Sequence, residues 1–176
     1  MNTIKEHLLI NDKRLYLTLN AYSKSHLFAC IMRIITHLGD TSTAVIATLF
    51  ALYLEYEYQV PIGTNMLYTM LVSQILVQMI KRIVNRTRPY KSISIANVIQ
   101  PPACVYSFPS GHTASAFAIA FSFSVGLPSL ASILMCIAFL VGMSRIILGY
   151  HYPTDVLIGM VLAYLSHQLT LLYLVA

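Results

Sequence analysis

Long apolar stretches separated by short polar loops organise this chain. A helix that crosses a bilayer needs about 20 mostly apolar residues, and the pattern predicts spans near 41–55, 62–80, 110–127, 129–144 and 154–175. The segment GLPS at 126–129 is typical of a tight turn that reverses the chain. The pattern therefore predicts an all-α, polytopic membrane helix bundle with about five to six transmembrane helices.

The N-terminal part of the chain has a different pattern, in which charged residues alternate with apolar ones. If residues 15–38 spanned the membrane, Lys24 and Arg33 would enter hydrocarbon at a cost of about 2.5–3.5 kcal/mol for a central charge. An amphipathic helix at the membrane surface avoids this cost. We therefore expect residues 1–38 to be an interfacial segment of a single membrane-embedded domain that covers residues 1–176.

Composition supports a membrane protein and argues against a metal site. Of the 176 residues, 57% are hydrophobic and only 10% are charged, which is unusual for a water-soluble domain. The three cysteines, Cys30, Cys104 and Cys136, lack metal-type spacing, and the six histidines form no HxxxH or HExxH motif. We expect no metal, no other cofactor and no nucleic-acid partner, and the pattern indicates no oligomeric state.

Two polar loops are expected to face each other at one membrane surface. The third and fourth predicted spans cross the membrane and return, so the loop before the third and the loop after the fourth lie on the same side. The first loop and its borders contribute Lys81, Arg82, Arg86, Arg88, Lys91, Ser110, Gly111 and His112. The second loop contributes Ser144, Arg145, His151 and Asp155. The excess of bases over acids predicts an anion-binding site, although basic residues 81–91 taken alone also fit a topology signal or an anionic-lipid contact.

The stretch FPSGHTAS at 108–115 has the features of a helix start that binds phosphate. Ser110 is a favourable N-cap, and the first amides of the following helix lack intrahelical acceptors. Gly111 lets a ligand approach the backbone closely, and the positive end of the helix dipole favours an anion. Taken by itself, the stretch also fits an ordinary capped helix.

His151 and Asp155 are four residues apart on either side of Pro153. This spacing can bring the carboxylate to one imidazole nitrogen and leave the other nitrogen free to attack. The alternative is that Asp155 complements a helix dipole and His151 reaches the interface. Arg145, at the end of an otherwise apolar span, favours the presence of an anion.

Three motifs, taken together, resemble the type 2 phosphatidic acid phosphatase (PAP2) superfamily. They are K-x6-R-P at Lys81, Arg88 and Pro89, P-S-G-H at Pro109 to His112, and S-R-x5-H-x3-D at Ser144, Arg145, His151 and Asp155. The resemblance covers roughly residues 40–175. It implies a membrane lipid phosphatase that hydrolyses a phosphomonoester or diphosphate of a membrane lipid through a phosphohistidine, without a metal.

The resemblance also implies a role for each motif residue. His151 is the expected nucleophile, Asp155 orients it, and His112 protonates the leaving oxygen and later activates water. Five groups are expected to bind the phosphoryl oxygens: Lys81, Arg88, Arg145, Ser110 and the amides at Gly111. Ser144 is expected to contact phosphate or to support the residues that contact it. Arg82 and Arg86 lie outside the motif and are expected at lipid headgroups or as topology charges.

The motifs account only for binding of the phosphate group, so several lipid substrates agree with them equally: undecaprenyl diphosphate, phosphatidylglycerol phosphate, phosphatidate and lipid A 1-phosphate. A lipid phosphotransferase with the same phosphohistidine is the main alternative. The resemblance to bacterial relatives implies a multi-pass protein of the cell membrane whose site faces the extracytoplasmic side. If the N-terminal helix lies on the motif side, however, all 11 Lys and Arg residues are on that side, and the positive-inside rule favours the opposite orientation.

Overall fold

Helices account for most of the computed structural model, which describes residues 2–98, 101 and 104–175. In chain order, the described helices are α1 Asn2–Asn20, α2 His26–Thr36, α3 Thr41–Tyr58, α4 Ile62–Val84, α5 Pro89–Ser92, α6 Gly111–Phe123, α7 Pro128–Ile147 and α8 Pro153–Val175. Short 3₁₀ turns at Ala21–Lys24 and His37–Gly39 connect the first three helices.

Helix α6 lies at the centre of the bundle and packs against α4, α7 and α8. Every residue from Thr113 to Ala120 is buried, in agreement with a helix that has no lipid-facing side. The alanines at 114, 116, 118 and 120 keep its surface narrow, so neighbouring helices approach closely. The start of α6 is therefore enclosed by three other helices.

Helix lengths agree with a membrane bundle. Helices α4, α7 and α8 are long and apolar enough to cross a bilayer. Segments His26–Gly39 and Thr41–Tyr58 pass the same test together, with a 50° bend between them. Helix α6 begins at Gly111, close to the predicted start, but has 13 residues, or about 20 Å at 1.5 Å per residue. The all-α membrane bundle predicted from the hydrophobic pattern is confirmed.

The predicted interfacial segment is divided into two helices with different surroundings. Helix α1 ends at Asn20, whereas α2 packs against α7 and leads into the bend before α3. The side chain of Asn20 donates hydrogen bonds to the carbonyls of Asn97 and Ile147, each at 2.9 Å. These bonds anchor α1 at the end of the bundle where α7 finishes.

Candidate active site

The two polar loops meet, as the span order predicts. The amide of Ser110 donates to the carbonyl of Asp155 at 2.9 Å, which joins the start of α6 to the first turn of α8. The Arg88 Nη1 atom donates to the carbonyl of Tyr150 at 2.8 Å. The three sequence motifs therefore converge at one end of the bundle.

His151 occupies the buried centre of this convergence. The chain leaves α7 through Gly149, whose φ of +86° belongs to the left-handed region that glycine adopts most easily. His151 follows and is only 2% exposed. Its Nε2 atom lies 3.3 Å from Arg88 Nη1, and its Nδ1 atom lies 3.5 Å from Asp155 Oδ2.

These distances assign the tautomer of His151. A guanidinium can only donate hydrogen bonds, so the Nε2 atom that faces Arg88 carries the lone pair. The neutral ring then has its proton on Nδ1, which lies 3.5 Å from Asp155 Oδ2 and forms no hydrogen bond among the described residues. Burial, and after it the positive charges of Arg145, Arg88 and Lys81, hold the pKa of His151 well below its ordinary value. The imidazole is therefore neutral, which is the form that can act as a nucleophile.

Asp155 is held rigidly in a buried position. Its Oδ2 atom accepts the Tyr152 amide at 2.9 Å, and its Oδ1 atom accepts from Arg86 Nη1 at 2.7 Å. The carboxylate is fully shielded from solvent. Its position relative to His151 is therefore set by the backbone of the loop and by one arginine.

Arg86 belongs to this network, and the expectation that it lies at lipid headgroups is wrong. Its side chain is 19% exposed and joins Asp155 to Asp12 of α1, with 2.7 Å to each carboxylate. Asp12 also accepts the amide of Thr154 at 3.0 Å and the hydroxyl of the same residue at 2.6 Å. Arg82, by contrast, is exposed, as expected. The sequence signal for such a partner is Asp155 itself, the only acidic residue after Glu57 in a segment rich in bases.

Three buried cations surround His151. Lys81, Arg88 and Arg145 are 9%, 2% and 4% exposed. The Nη1 atom of Arg145 donates to Thr36 Oγ1 at 2.7 Å, but its buried Nε atom has no hydrogen-bond partner among the described residues. Buried cations with unused donors are costly unless an anion completes them. The arrangement therefore favours a bound anion such as a phosphoryl group.

The start of α6 completes the anion site. Ser110 caps the helix, since its Oγ atom accepts from the amide of Thr113 at 3.4 Å and from the hydroxyl of the same residue at 2.8 Å. A Cβ atom placed on Gly111 would lie 3.9 Å from Lys81 Nζ, so the lysine reaches the first turn of α6. Positive charge from Lys81 and from the amides of this turn is thus concentrated at the start of α6.

Ser144 supports the site from within α7. It is fully buried, and its hydroxyl donates to the carbonyl of Val141 at 2.6 Å. Because the proton of the hydroxyl is used inside the helix, this position favours support of the adjacent Arg145 over direct donation to phosphate.

His112 has a carboxylate partner that the sequence motifs do not contain. Its Nε2 atom lies 2.7 Å from Oδ1 of Asp40, which precedes α3. Within residues 2–98, 101 and 104–175, no group of three or more His, Cys, Asp or Glu side chains is arranged to hold a metal ion.

A groove between α3 and α4 lies next to this site. Its cavity has a volume of about 460 Å³ and is lined mainly by apolar side chains. The lining includes Val45, Thr48, Leu49, Leu67, Leu71 and Gln74. At the inner end, Gln74 Nε2 donates to the carbonyl of Gly111 at 3.3 Å and to Ser115 Oγ at 3.0 Å. The groove therefore ends beside the first residue of α6.

This chain matches a known protein family and is similar to curated proteins that are named as phosphatases. The model of the family described as the PAP2 superfamily matches residues 62–176. A lipid A 1-phosphatase of Rhizobium johnstonii is 31% identical over 62% of this chain and 45% of its own length. An undecaprenyl-diphosphatase of Sulfolobus acidocaldarius is 29% identical over 64% of this chain and 55% of its own length. The chain thus spans about half the length of these curated relatives.

Two solved structures share the fold over nearly the whole chain. The crystal structure of Aquifex aeolicus LpxE matches with a TM-score of 0.80 and 27% identity, and the match covers 90% of this chain and 93% of that one. A transmembrane PAP2-type phosphatidylglycerolphosphate phosphatase from Bacillus subtilis matches with a TM-score of 0.76 and 27% identity, over 98% of this chain and 87% of that one.

Proposed function

The chain belongs to the PAP2 superfamily, and on this basis we propose that it is an integral membrane phosphatase that releases phosphate from a membrane lipid phosphate or diphosphate. The observation that carries the proposal is the position of His151. Its Nε2 lone pair lies at the centre of three buried cations, one of which has an unused donor.

The chemistry proceeds in two transfers. Nε2 of His151 attacks phosphorus, the bond from phosphorus to the leaving oxygen breaks, and that oxygen takes a proton from His112. Water then attacks the phosphohistidine and gives a proton to His112, the bond between phosphorus and nitrogen breaks, and inorganic phosphate leaves. Lys81, Arg88, Arg145, Ser110 and the amide of Gly111 bind the phosphoryl oxygens, and they bind most strongly where charge develops in the transition state.

Asp155 contributes to both transfers through His151. Attack by Nε2 places a positive charge on the imidazole ring, and Oδ2 of Asp155 lies 3.5 Å from Nδ1 of that ring. A buried carboxylate at this position stabilises the charged ring and keeps Nε2 directed at phosphorus.

The α3/α4 groove supports a lipid substrate. Its apolar walls suit a hydrocarbon tail, and its inner end lies within hydrogen-bond reach of Gly111, where the phosphate is proposed to bind. The named relatives act on lipids with different headgroups, which supports the substrate class without selecting a headgroup.

A panel of substrates tests this proposal. We expect the purified protein in detergent to release phosphate from lipid phosphates more efficiently than from water-soluble aryl phosphates, because only the lipids fill the groove. Assays on undecaprenyl diphosphate, phosphatidylglycerol phosphate, phosphatidate and lipid A rank the headgroups. A parallel reaction with an acceptor lipid separates hydrolysis from phosphotransfer. Release from aryl phosphates but from none of the lipids contradicts the substrate class.

Variants that fill the groove sharpen the same test. Leu49→Trp narrows the groove and is expected to raise KM for lipid phosphates by about 10-fold or more, with little change for a soluble aryl phosphate. Leu172→Trp, at an exposed position on α8, is the matched control. If Leu49→Trp raises KM equally for both substrates, the lipid tail binds outside the groove.

We also propose that the site faces the extracytoplasmic side of the cell membrane, as the family resemblance implies. The positive-inside count opposes this orientation, but Lys81, Arg88 and Arg145 are buried around His151. Arg86 is ion-paired with two carboxylates. Four of the bases on this side are thus engaged in the site and are poor topology signals.

Native Cys104 provides the test of orientation. It is exposed, and its carbonyl accepts a 2.7 Å hydrogen bond from Arg88 Nε, so it reports on the site face. In a Cys30→Ser, Cys136→Ser background, we expect a membrane-impermeant maleimide to label intact cells at Cys104. Labelling that requires permeabilised cells reverses the orientation, and Cys104→Ser gives the background signal.

A further inference from the structure

Asp40 uses its carboxylate in an unusual way for its position in the chain. It is the N-cap residue of α3, where an aspartate ordinarily accepts an amide of its own helix. No such bond is present. Instead, Oδ1 lies 2.7 Å from His112 Nε2 and Oδ2 lies 2.7 Å from His37 Nδ1. Both carboxylate oxygens of Asp40 are therefore paired with imidazole rings, and one of these rings belongs to the proposed active site.

The bend between α2 and α3 brings Asp40 to His112. The bend is 50°, and it presses the turn His37–Gly39 against the start of α6. A Cβ atom on Gly39 would lie 2.8 Å from the backbone oxygen of His112, so only a glycine permits this close approach. The contact joins residues 72 positions apart, and Asp40, unlike His112, lies outside the segment 62–176 that matches the family model.

The contact determines which nitrogen of His112 is available to a substrate. A carboxylate accepts hydrogen bonds, so Nε2 carries a proton that is directed at Asp40. Nδ1 is then the ring nitrogen that remains for proton transfer to the leaving oxygen.

Charge adds a second reason for the pairing. Burial, and after it the positive charges of Arg145 and Lys81, disfavour a protonated His112, whereas the negative charge of Asp40 and its hydrogen bond favour it. His112 must carry a proton on Nδ1 before it can donate one. Asp40 is the carboxylate that supports this charged ring, and its bond to His37 restrains its own position.

We propose that Asp40 is the positioning residue of the proton donor: it holds the Nε2 proton of His112, orients Nδ1 towards the leaving oxygen and stabilises the protonated ring. This inference rests on the proposed phosphatase function and extends it. In the first transfer, the bond to the leaving oxygen breaks, that oxygen takes the Nδ1 proton, and the Nε2 proton stays on the ring in its bond to Asp40. When water attacks the phosphohistidine, Nδ1 takes back a proton and the pair is restored.

A comparison of leaving groups tests the assignment. An alkoxide must be protonated as it departs, whereas a nitrophenolate needs little help. We expect Asp40→Asn to lower kcat/KM for a long-chain alkyl phosphate by about 100-fold. For a nitrophenyl phosphate with the same chain, the loss is expected to be small. The ratio of the two substrates, measured in one preparation, is independent of the fraction of folded protein.

Two further variants complete the experiment. In a His112→Ala background, Asp40→Asn is expected to add nothing to the loss on the alkyl phosphate, because both changes remove one proton transfer. Glu57→Gln removes an exposed carboxylate from the opposite end of α3 and is expected to leave both substrates unaffected.

The possible outcomes separate this inference from the function on which it rests. Equal losses on both substrates in Asp40→Asn, or no loss on either, overturn the role of Asp40. Additive losses in the double variant overturn it as well. No phosphate release by the wild-type protein from any substrate contradicts the phosphatase function itself.

Discussion

Replacement of His151 by alanine is expected to abolish phosphate release, with a loss of at least about 1,000-fold in kcat. The residue supplies the Nε2 lone pair at the centre of the cationic site, and the nearest other imidazole that the proposal uses, His112, is bound to Asp40. His112 is therefore not free to replace it. The measurement is phosphate release by purified protein in detergent, with EDTA present throughout.

Controls separate the loss of the nucleophile from a loss of structure. His26→Ala removes an exposed histidine from α2 and is expected to keep full activity. Wild-type protein that is quenched in alkali during turnover should carry acid-labile phosphate, and His151→Ala should carry none. Full activity in the His151 variant, or an absolute requirement for a divalent metal, contradicts the phosphohistidine mechanism.

Asp155→Asn is the second change with a large expected effect, a decrease in kcat of about 1,000-fold or more. The substitution keeps the shape of the side chain but removes the negative charge that faces Nδ1 of His151 at 3.5 Å. The charged ring formed during attack then loses its counter-charge. KM is expected to change much less, since the cations that bind phosphate are untouched.

Asp12→Asn is the matched control for this variant. It removes a carboxylate from the opposite side of Arg86, which keeps its 2.7 Å bond to Asp155. We expect a modest loss of activity and a lower thermal stability, because α1 loses its ion pair and its bonds to Thr154. If Asp12→Asn lowers kcat as much as Asp155→Asn, Asp155 acts mainly by anchoring α1.

Helices whose apolar stretch is long enough to cross a bilayer were predictable from local sequence. The span expected at 129–144 is α7 at Pro128–Ile147, and the one expected at 154–175 is α8 at Pro153–Val175. Each of these two begins at a proline, which is favoured in a first helical turn. Helix α6 is shorter than expected because the chain after Phe123 turns before it reaches Pro128.

The convergence of the motifs was also predictable, because two crossings of a membrane return the chain to the same side. The number of spans between the two loops is sufficient for this prediction. It places His112, Ser110 and Gly111 on the same face as Arg145, His151 and Asp155, and the hydrogen bond between Ser110 and Asp155 agrees with it.

The sequence by itself therefore determined the membrane bundle, the helix starts and the set of motif residues at one face, since these depend on apolar length, capping residues and span order. Only the tertiary structure decided the partners of those residues. Asp40 reaches His112 because α2 and α3 meet at a bend, and Asp12 reaches Arg86 because α1 is anchored beside α7. Such contacts depend on helix packing angles, which no local pattern of polar and apolar residues specifies.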